Sequence, residues 1–114
     1  MSREIHKKPL TKVERENILR QFVAKWGEDA EIKMAIEEMA ELTKELCKSW
    51  RGKTKSSPGA IEENRQHIRE EIADVLITVG NLKMIFGAKE IEEVVDAKLR
   101  RGLVQLKKYQ EERK

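Results

Sequence analysis

Two short stretches hold most of what could be reactive in this chain. The first reads "AIEEMAEL" and contains Glu37, Glu38 and Glu41; the second reads "EEIADVLITV" and contains Glu70, Glu71 and Asp74. Glu38 and Glu41 stand three residues apart, as do Glu71 and Asp74, a spacing that puts each pair on one side of a helix. Glu45 continues the first row, and Thr78 and Asn81 extend the second. Such groups of carboxylates hold hard cations. Mg2+ suits them because it prefers oxygen ligands and keeps waters that phosphate oxygens can replace. Without a cation the arrangement is poor. Each like-charge pair on an exposed helix costs about 0.2–0.5 kcal/mol, and an uncompensated, partly buried carboxylate costs several. Asp74 is the sharpest case, because Asp is a weak helix former and this one lies in an otherwise aliphatic run.

Four helices are predicted to position these acids. The first begins after Pro9-Leu10, where Thr11 and Glu14 match a capping box, and Gly27 ends it. The second runs from about Asp29, a candidate N-cap, to Trp50. Its inward stripe is Ile32, Ile36, Met39, Thr43, Leu46 and Trp50 at three- and four-residue steps. The segment "RGKTKSSPG", residues 51–59, is basic, small and turn-prone, and is expected to be a flexible loop. The third helix runs from about Ala60 to Phe86, with a stripe of Ile68, Ile72, Val75, Val79, Leu82 and Phe86 widened by Leu76 and Ile77. Gly87 is a good residue to close it. The fourth runs from about Lys89 towards Gln110, weakened locally at Gly102, and its end is expected to fray. Acids at the margins of facing stripes could then meet across a gap of about 8–10 Å.

The 114 residues suffice for one domain, residues 1–114, with residues 1–10 expected to be flexible. Helix formers dominate and proline is nearly absent, which predicts an all-α four-helix bundle. The apolar width of the third helix would leave surface uncovered in a monomer, so a homo-oligomer, dimer or tetramer, is expected. Cys47 is the single cysteine, which excludes an intrachain disulfide; its apolar neighbours predict a buried thiol. No apolar run is long enough to span a bilayer. The N-terminus has no apolar core of a signal peptide, so a cytoplasmic protein is expected.

A di-iron carboxylate bundle is the main rival metal site, but it needs two Glu-x-x-His units. The chain has two histidines, His6 and His67, and Asn64 stands three residues before His67. No glycine-rich phosphate loop and no Cys/His zinc pattern is present.

The acidic pattern Glu37-Glu38-x-x-Glu41 followed by Glu71-x-x-Asp74 resembles the signature of the MazG-like all-α nucleoside triphosphate pyrophosphohydrolases. "EEMAELTKELCKSWRGK" is similar to that family's second helix and the loop after it, "EEIADVLITV" to its third helix, and "AKLRRGLVQLKKY" to its last. The resemblance spans residues 26–109. It implies Mg2+-dependent hydrolysis of a nucleoside triphosphate between the α- and β-phosphates, with Mn2+ as a possible substitute, in nucleotide-pool house-cleaning. By matching position it implies that Glu38, Glu41, Glu71 and Asp74 are metal ligands. Glu38 or Glu41 would then take a proton from the attacking water, and Glu37 would be an additional acid. Cations should hold the phosphates. Lys98 and Arg101, three apart on the fourth helix, are the first candidates, and Lys53 and Lys55 on the loop could close over substrate. Trp50 or Trp26 could stack on the base, and Asn81 could hydrogen-bond the substrate.

Two competing readings remain at this level. A helical interaction module without catalysis would present the same acids as a solvated surface. A nucleic-acid binder would use Arg51, Lys53, Lys55 and the basic N-terminus, but the net charge of +3 is modest, and no recognised nucleic-acid-binding motif is present.

Overall fold

A helix start needs its first amide groups satisfied, and Thr11 and Glu14 supply this reciprocally. The Glu14 amide donates to Thr11 Oγ1 at 3.1 Å, and the Thr11 amide donates to Glu14 Oε1 at 2.8 Å. The resulting helix, α1, spans Lys12–Trp26. It belongs to a computed structural model that describes residues 7–52 and 57–113 of the chain. Three more helices follow: α2 at Glu28–Gly52, α3 at Pro58–Phe86 and α4 at Ala88–Glu112. The described residues are thus all-helical, without a strand, and none of these helices is long and apolar enough to cross a membrane.

Single glycines make two of the junctions. Gly27 and Gly87 have φ of +87° and +105°, values a side chain would strain. The Gly27 amide closes α1 on the Val23 carbonyl at 2.8 Å, and its own carbonyl receives the Glu31 amide at 3.2 Å. Gly87 repeats the device, with its amide on the Lys83 carbonyl at 2.9 Å and the Ile91 amide on its carbonyl at 3.1 Å. One residue therefore ends one helix and starts the next. Asp29 is accordingly inside the first turn of α2 instead of capping it. Its charge there complements the helix dipole.

The predicted loop over residues 51–59 is shorter than expected. Arg51 and Gly52 continue α2, while Pro58 and Gly59 already belong to α3. Proline suits a first helical turn, where its missing N–H is not needed. Ser57 assists, since its hydroxyl accepts the Ala60 amide at 3.3 Å. Lys53 and Lys55 lie outside the described residues. The helix of Lys107–Glu112 is intact where fraying was expected, and the Arg113 guanidinium sits 5.0 Å from the centre of the Tyr109 ring.

The helices divide into two compact units, Met1–Leu82 and Lys83–Lys114. In the first, two long-range hydrogen bonds set the α2–α3 pair antiparallel. Asn81, late in α3, bonds Glu31, early in α2, at 2.6 Å; Asn64, early in α3, bonds Glu45, late in α2, at 3.3 Å. Polar side chains dominate this seam. Among the described residues the buried ones are Ala35, Glu31, Glu45, Thr78 and Asn81. The second unit contains α4 and the last turn of α3, joined by an ion pair between Lys83 and Glu92.

Two expectations are corrected here. The stripe of α2 is not covered: Ile36, Met39, Leu46 and Trp50 are exposed, whereas Ile68, Val75, Val79 and Leu82 of α3 are half-buried. Cys47, expected to be buried among them, is exposed too. The reason is that α2 turns its acidic row, not its aliphatic one, towards α3.

The approach of α1 to α3 is tight at Gly80. A methyl group there would stand 2.7 Å from Leu19 Cδ1. Replacing Gly by Ala favours an exposed helix by about 1 kcal/mol, while overpacking costs about 1–3 kcal/mol. Leu19 Cδ1 is the far end of a flexible, half-buried side chain that can yield, so Gly80→Ala should change the unfolding free energy by less than about 1 kcal/mol. In the Leu19→Ala background the same change should become neutral or stabilising. A double-mutant cycle by urea denaturation measures this coupling.

Candidate metal centre

The antiparallel seam brings acids from both helices together. α2 contributes Glu38 and α3 contributes Glu71 and Asp74, and one oxygen from each lies within 4.8 Å of the others. Glu38 and Glu71 are half-buried, whereas Asp74 is exposed. The spacing explains the convergence. Glu71 and Asp74 are one turn apart on α3, and Glu38 lies two turns beyond Glu31, whose bond to Asn81 fixes the register.

Burial and neighbouring carboxylates raise the proton affinity of two acids in this group, Glu38 and Glu71. Partial burial raises the Glu38 carboxyl above its ordinary value, and the charges of Asp74, Glu71 and Glu41 add to this. A hydrogen bond with Asp74 further favours its protonated form. Glu71 is raised for the same first reason, then by Asp74, Glu41, Glu45 and Glu70. Glu71 Oε2 is buried without a hydrogen-bond partner. Among the described residues, no ion pair compensates Glu38, Glu71 or Asp74.

These residues fit a small divalent cation. Oxygens bound to one Mg2+ ion lie about 3 Å apart when adjacent and about 4 Å when opposite, so the group, within 4.8 Å, would have to draw inward to hold the ion directly. Using the orphaned Glu71 Oε2 as a ligand would cost no existing hydrogen bond. Metal binding requires the deprotonated acids and therefore competes with the raised proton affinity.

The other expected site residues are distributed as follows. Glu41 is exposed and lies outside the three-oxygen group, although its charge acts on both Glu38 and Glu71. Glu37 is exposed beside Glu38 on α2. Trp50 is exposed near the end of α2. Lys98 and Arg101 are exposed on α4 in the second unit. Asn81 is buried and holds Glu31.

Two features of the seam go beyond the expected set. Glu45 accepts from Lys48 Nζ and Asn64 Nδ2, both at 3.3 Å, and so is compensated where Glu71 is not. Glu31 is buried although no motif contains it. The signal available was its place seven residues before Glu38, which puts both on one face.

No family model, curated protein or solved structure matches the chain.

The raised carboxyls give a signed pH dependence. In the metal-free protein, Glu38 and Glu71 bind protons more tightly when folded than when unfolded. Their contribution is therefore most favourable below the ordinary 4.5 and is lost as pH rises through their raised values. In EDTA at pH 7, Glu38→Gln or Glu71→Gln should have a higher Tm than the wild type. The difference should vanish below the ordinary carboxylate value. Saturating Mg2+ should reverse the order, since a ligand at 100 times its Kd stabilises by about 2.7 kcal/mol. Thermal melts across pH, with and without Mg2+, measure both effects.

Proposed function

We propose that the chain is a Mg2+-dependent nucleoside triphosphate pyrophosphohydrolase. It would cleave a (deoxy)nucleoside triphosphate to the monophosphate and pyrophosphate, removing surplus or non-standard nucleotides in the cytoplasm. The observation that carries this reading is the convergence of Glu38, Glu71 and Asp74 oxygens without a compensating cation. The resemblance of the acidic motifs to the MazG-like family supplies the reaction.

Glu38, Glu71 and Asp74 would hold the ion, with Glu41 joining from the next turn of α2. Bound Mg2+, or Mn2+ in its place, would polarise the phosphoryl oxygens. Glu41 or Glu38 accepts the proton of the attacking water. Glu37 supports the negative end of the site as a further acid. Lys98 and Arg101 would neutralise phosphate charge, assisted by Lys53, and Asn81 would contact the rest of the substrate; Trp50 lies about 28 Å along α2 from Glu31, the partner of Asn81, too far to join it on one nucleotide.

The reading includes a homodimer or homotetramer built on a four-helix bundle. Its support is the uncovered apolar surface. Leu10, Ile18, Leu19, Leu76 and Ile77 line an open groove of about 480 Å³ within the first unit. A second copy covering it would remove this surface from water. The competing interaction module draws on the same surface but predicts no turnover.

Pyrophosphate release from a panel of nucleoside triphosphates tests the reaction. Release should require Mg2+ or Mn2+. Glu38→Gln, Glu41→Gln, Glu71→Gln and Asp74→Asn should each lower it by about 100-fold or more, with helicity by circular dichroism retained. Lys98→Ala should raise KM more than it lowers kcat. Turnover unchanged in all four acid variants would exclude this site. In sedimentation, the wild type should run as a dimer or tetramer and Leu76→Glu as a smaller species.

A further inference from the structure

Two turns along both helices from the acidic group lies a cavity of about 360 Å³. Phe22, Trp26 and Met34 contribute to its apolar lining, and Glu31, Thr78 and Asn81 to its polar lining. The Phe22 and Trp26 rings stand 5.6 Å apart with planes tilted by 46°, and Trp26 remains exposed. An aromatic wall of this kind suits a flat ring.

The polar end is unusual in what it leaves unsatisfied. Glu31 is 6% exposed and Asn81 2%. Asn81 Nδ2 donates to Glu31 Oε2 at 2.6 Å. That contact fixes the amide orientation, because an amide oxygen could not approach a carboxylate so closely. Asn81 Oδ1 is then left buried with no partner. The Thr78 hydroxyl has already donated to the Val75 carbonyl at 2.8 Å, so it offers only lone pairs. Among the described residues, no Lys or Arg pairs with Glu31. Three neighbouring groups therefore offer acceptor capacity beside an aromatic wall. An unpaired buried acceptor is unfavourable until a donor reaches it.

The register ties this cavity to the acids. Glu31 precedes Glu38 by seven residues, and Asn81 follows Asp74 by seven. On each helix that is a shift of about 10 Å on nearly the same face. A sugar could bridge such a distance between a base and its phosphates.

We propose that this cavity receives the base of the nucleotide and selects bases bearing an exocyclic amino group. The base stacks on Trp26, and its N–H groups bond Asn81 Oδ1 and the Glu31 carboxylate. The proposal rests on the reading of the acidic group as a phosphate-handling site.

Equilibrium dialysis with nucleoside monophosphates and Mg2+ tests it, since monophosphates have no anhydride to cleave. The informative pairs are CMP with UMP, AMP with IMP, and GMP with IMP. At least one amino-bearing member should bind about tenfold or more tightly than its amine-free counterpart. Glu31→Gln should bring that pair to within about threefold, because the new amide offers donors where acceptors were needed. Trp26→Ala should weaken both members alike and preserve their ratio. Equal binding within all three pairs, no binding of any monophosphate at millimolar concentration, or an unchanged ratio in folded Glu31→Gln would overturn the proposal. If Glu31→Gln does not fold, the wild-type pairs decide it. Pyrophosphate release without discrimination removes the base pocket and keeps the hydrolase. Discrimination without release from any triphosphate keeps the pocket and removes the hydrolase.

Discussion

The α2–α3 contact is organised by negative charge that the chain does not neutralise. Glu38, Glu71 and Asp74 come within 4.8 Å because the Glu31–Asn81 and Glu45–Asn64 hydrogen bonds hold the helices antiparallel in one register. These bonds cannot form without carrying the acids into proximity. Glu45, in the same row, shows what compensation looks like: Lys48 and Asn64 both reach it. Glu71 instead has a buried oxygen with no partner. One seam thus holds both a compensated and an uncompensated acid. The proposed cation site rests on this difference.

The polar seam leaves little apolar burial to stabilise this pair of helices. Ala35 is the buried hydrophobic residue among the described ones, and its small side chain removes little surface from water. Fully burying a Leu, Ile or Phe contributes about 1.5–3 kcal/mol, against a usual domain stability of about 5–15 kcal/mol. Leu76, Ile77 and Ile18 are each at least partly open to water. Covering these few side chains is therefore a change on the scale of the whole stability.

Much of the helical layout was legible in the sequence. The capping box at Thr11, the glycine stops at Gly27 and Gly87 and the spacing of the acids are local signals, governed by neighbours within a turn. Of the four expected acids, Glu38, Glu71 and Asp74 come together, while Glu41 lies outside their group. What failed was the choice of inward face. The sequence pattern assigns α2's aliphatic stripe to an interior, yet periodicity identifies a face without identifying what covers it. Ile36, Leu46 and Cys47 are exposed for that reason. The ends of the predicted loop were misread because Gly52 and Pro58 act as breakers only in mid-helix. At a last or first turn both are tolerated. Glu31 was missed because a lone acid carries no motif. Its importance appears only once Asn81, 50 residues away, is set beside it.

The third helix of the first unit connects these features. α1 presses Leu19 against α3 at Gly80, where no side chain intervenes. Asn81 is the next residue, and Phe22, one turn beyond Leu19, faces the same cavity as Asn81. The missing side chain at Gly80 therefore fixes how near the aromatic pair stands to the orphaned Asn81 oxygen. Asn81 in turn holds Glu31, and with it the register that gathers Glu38, Glu71 and Asp74. A shift of α1 would be felt first at the cavity, through Phe22 and Trp26. A shift of α2 along α3 would disturb the cavity and the acids together, because the same seven-residue spacing on both helices serves the two sites. The acids and the orphaned amide thus depend on one register, and neither can be tuned by sliding the helices without moving the other.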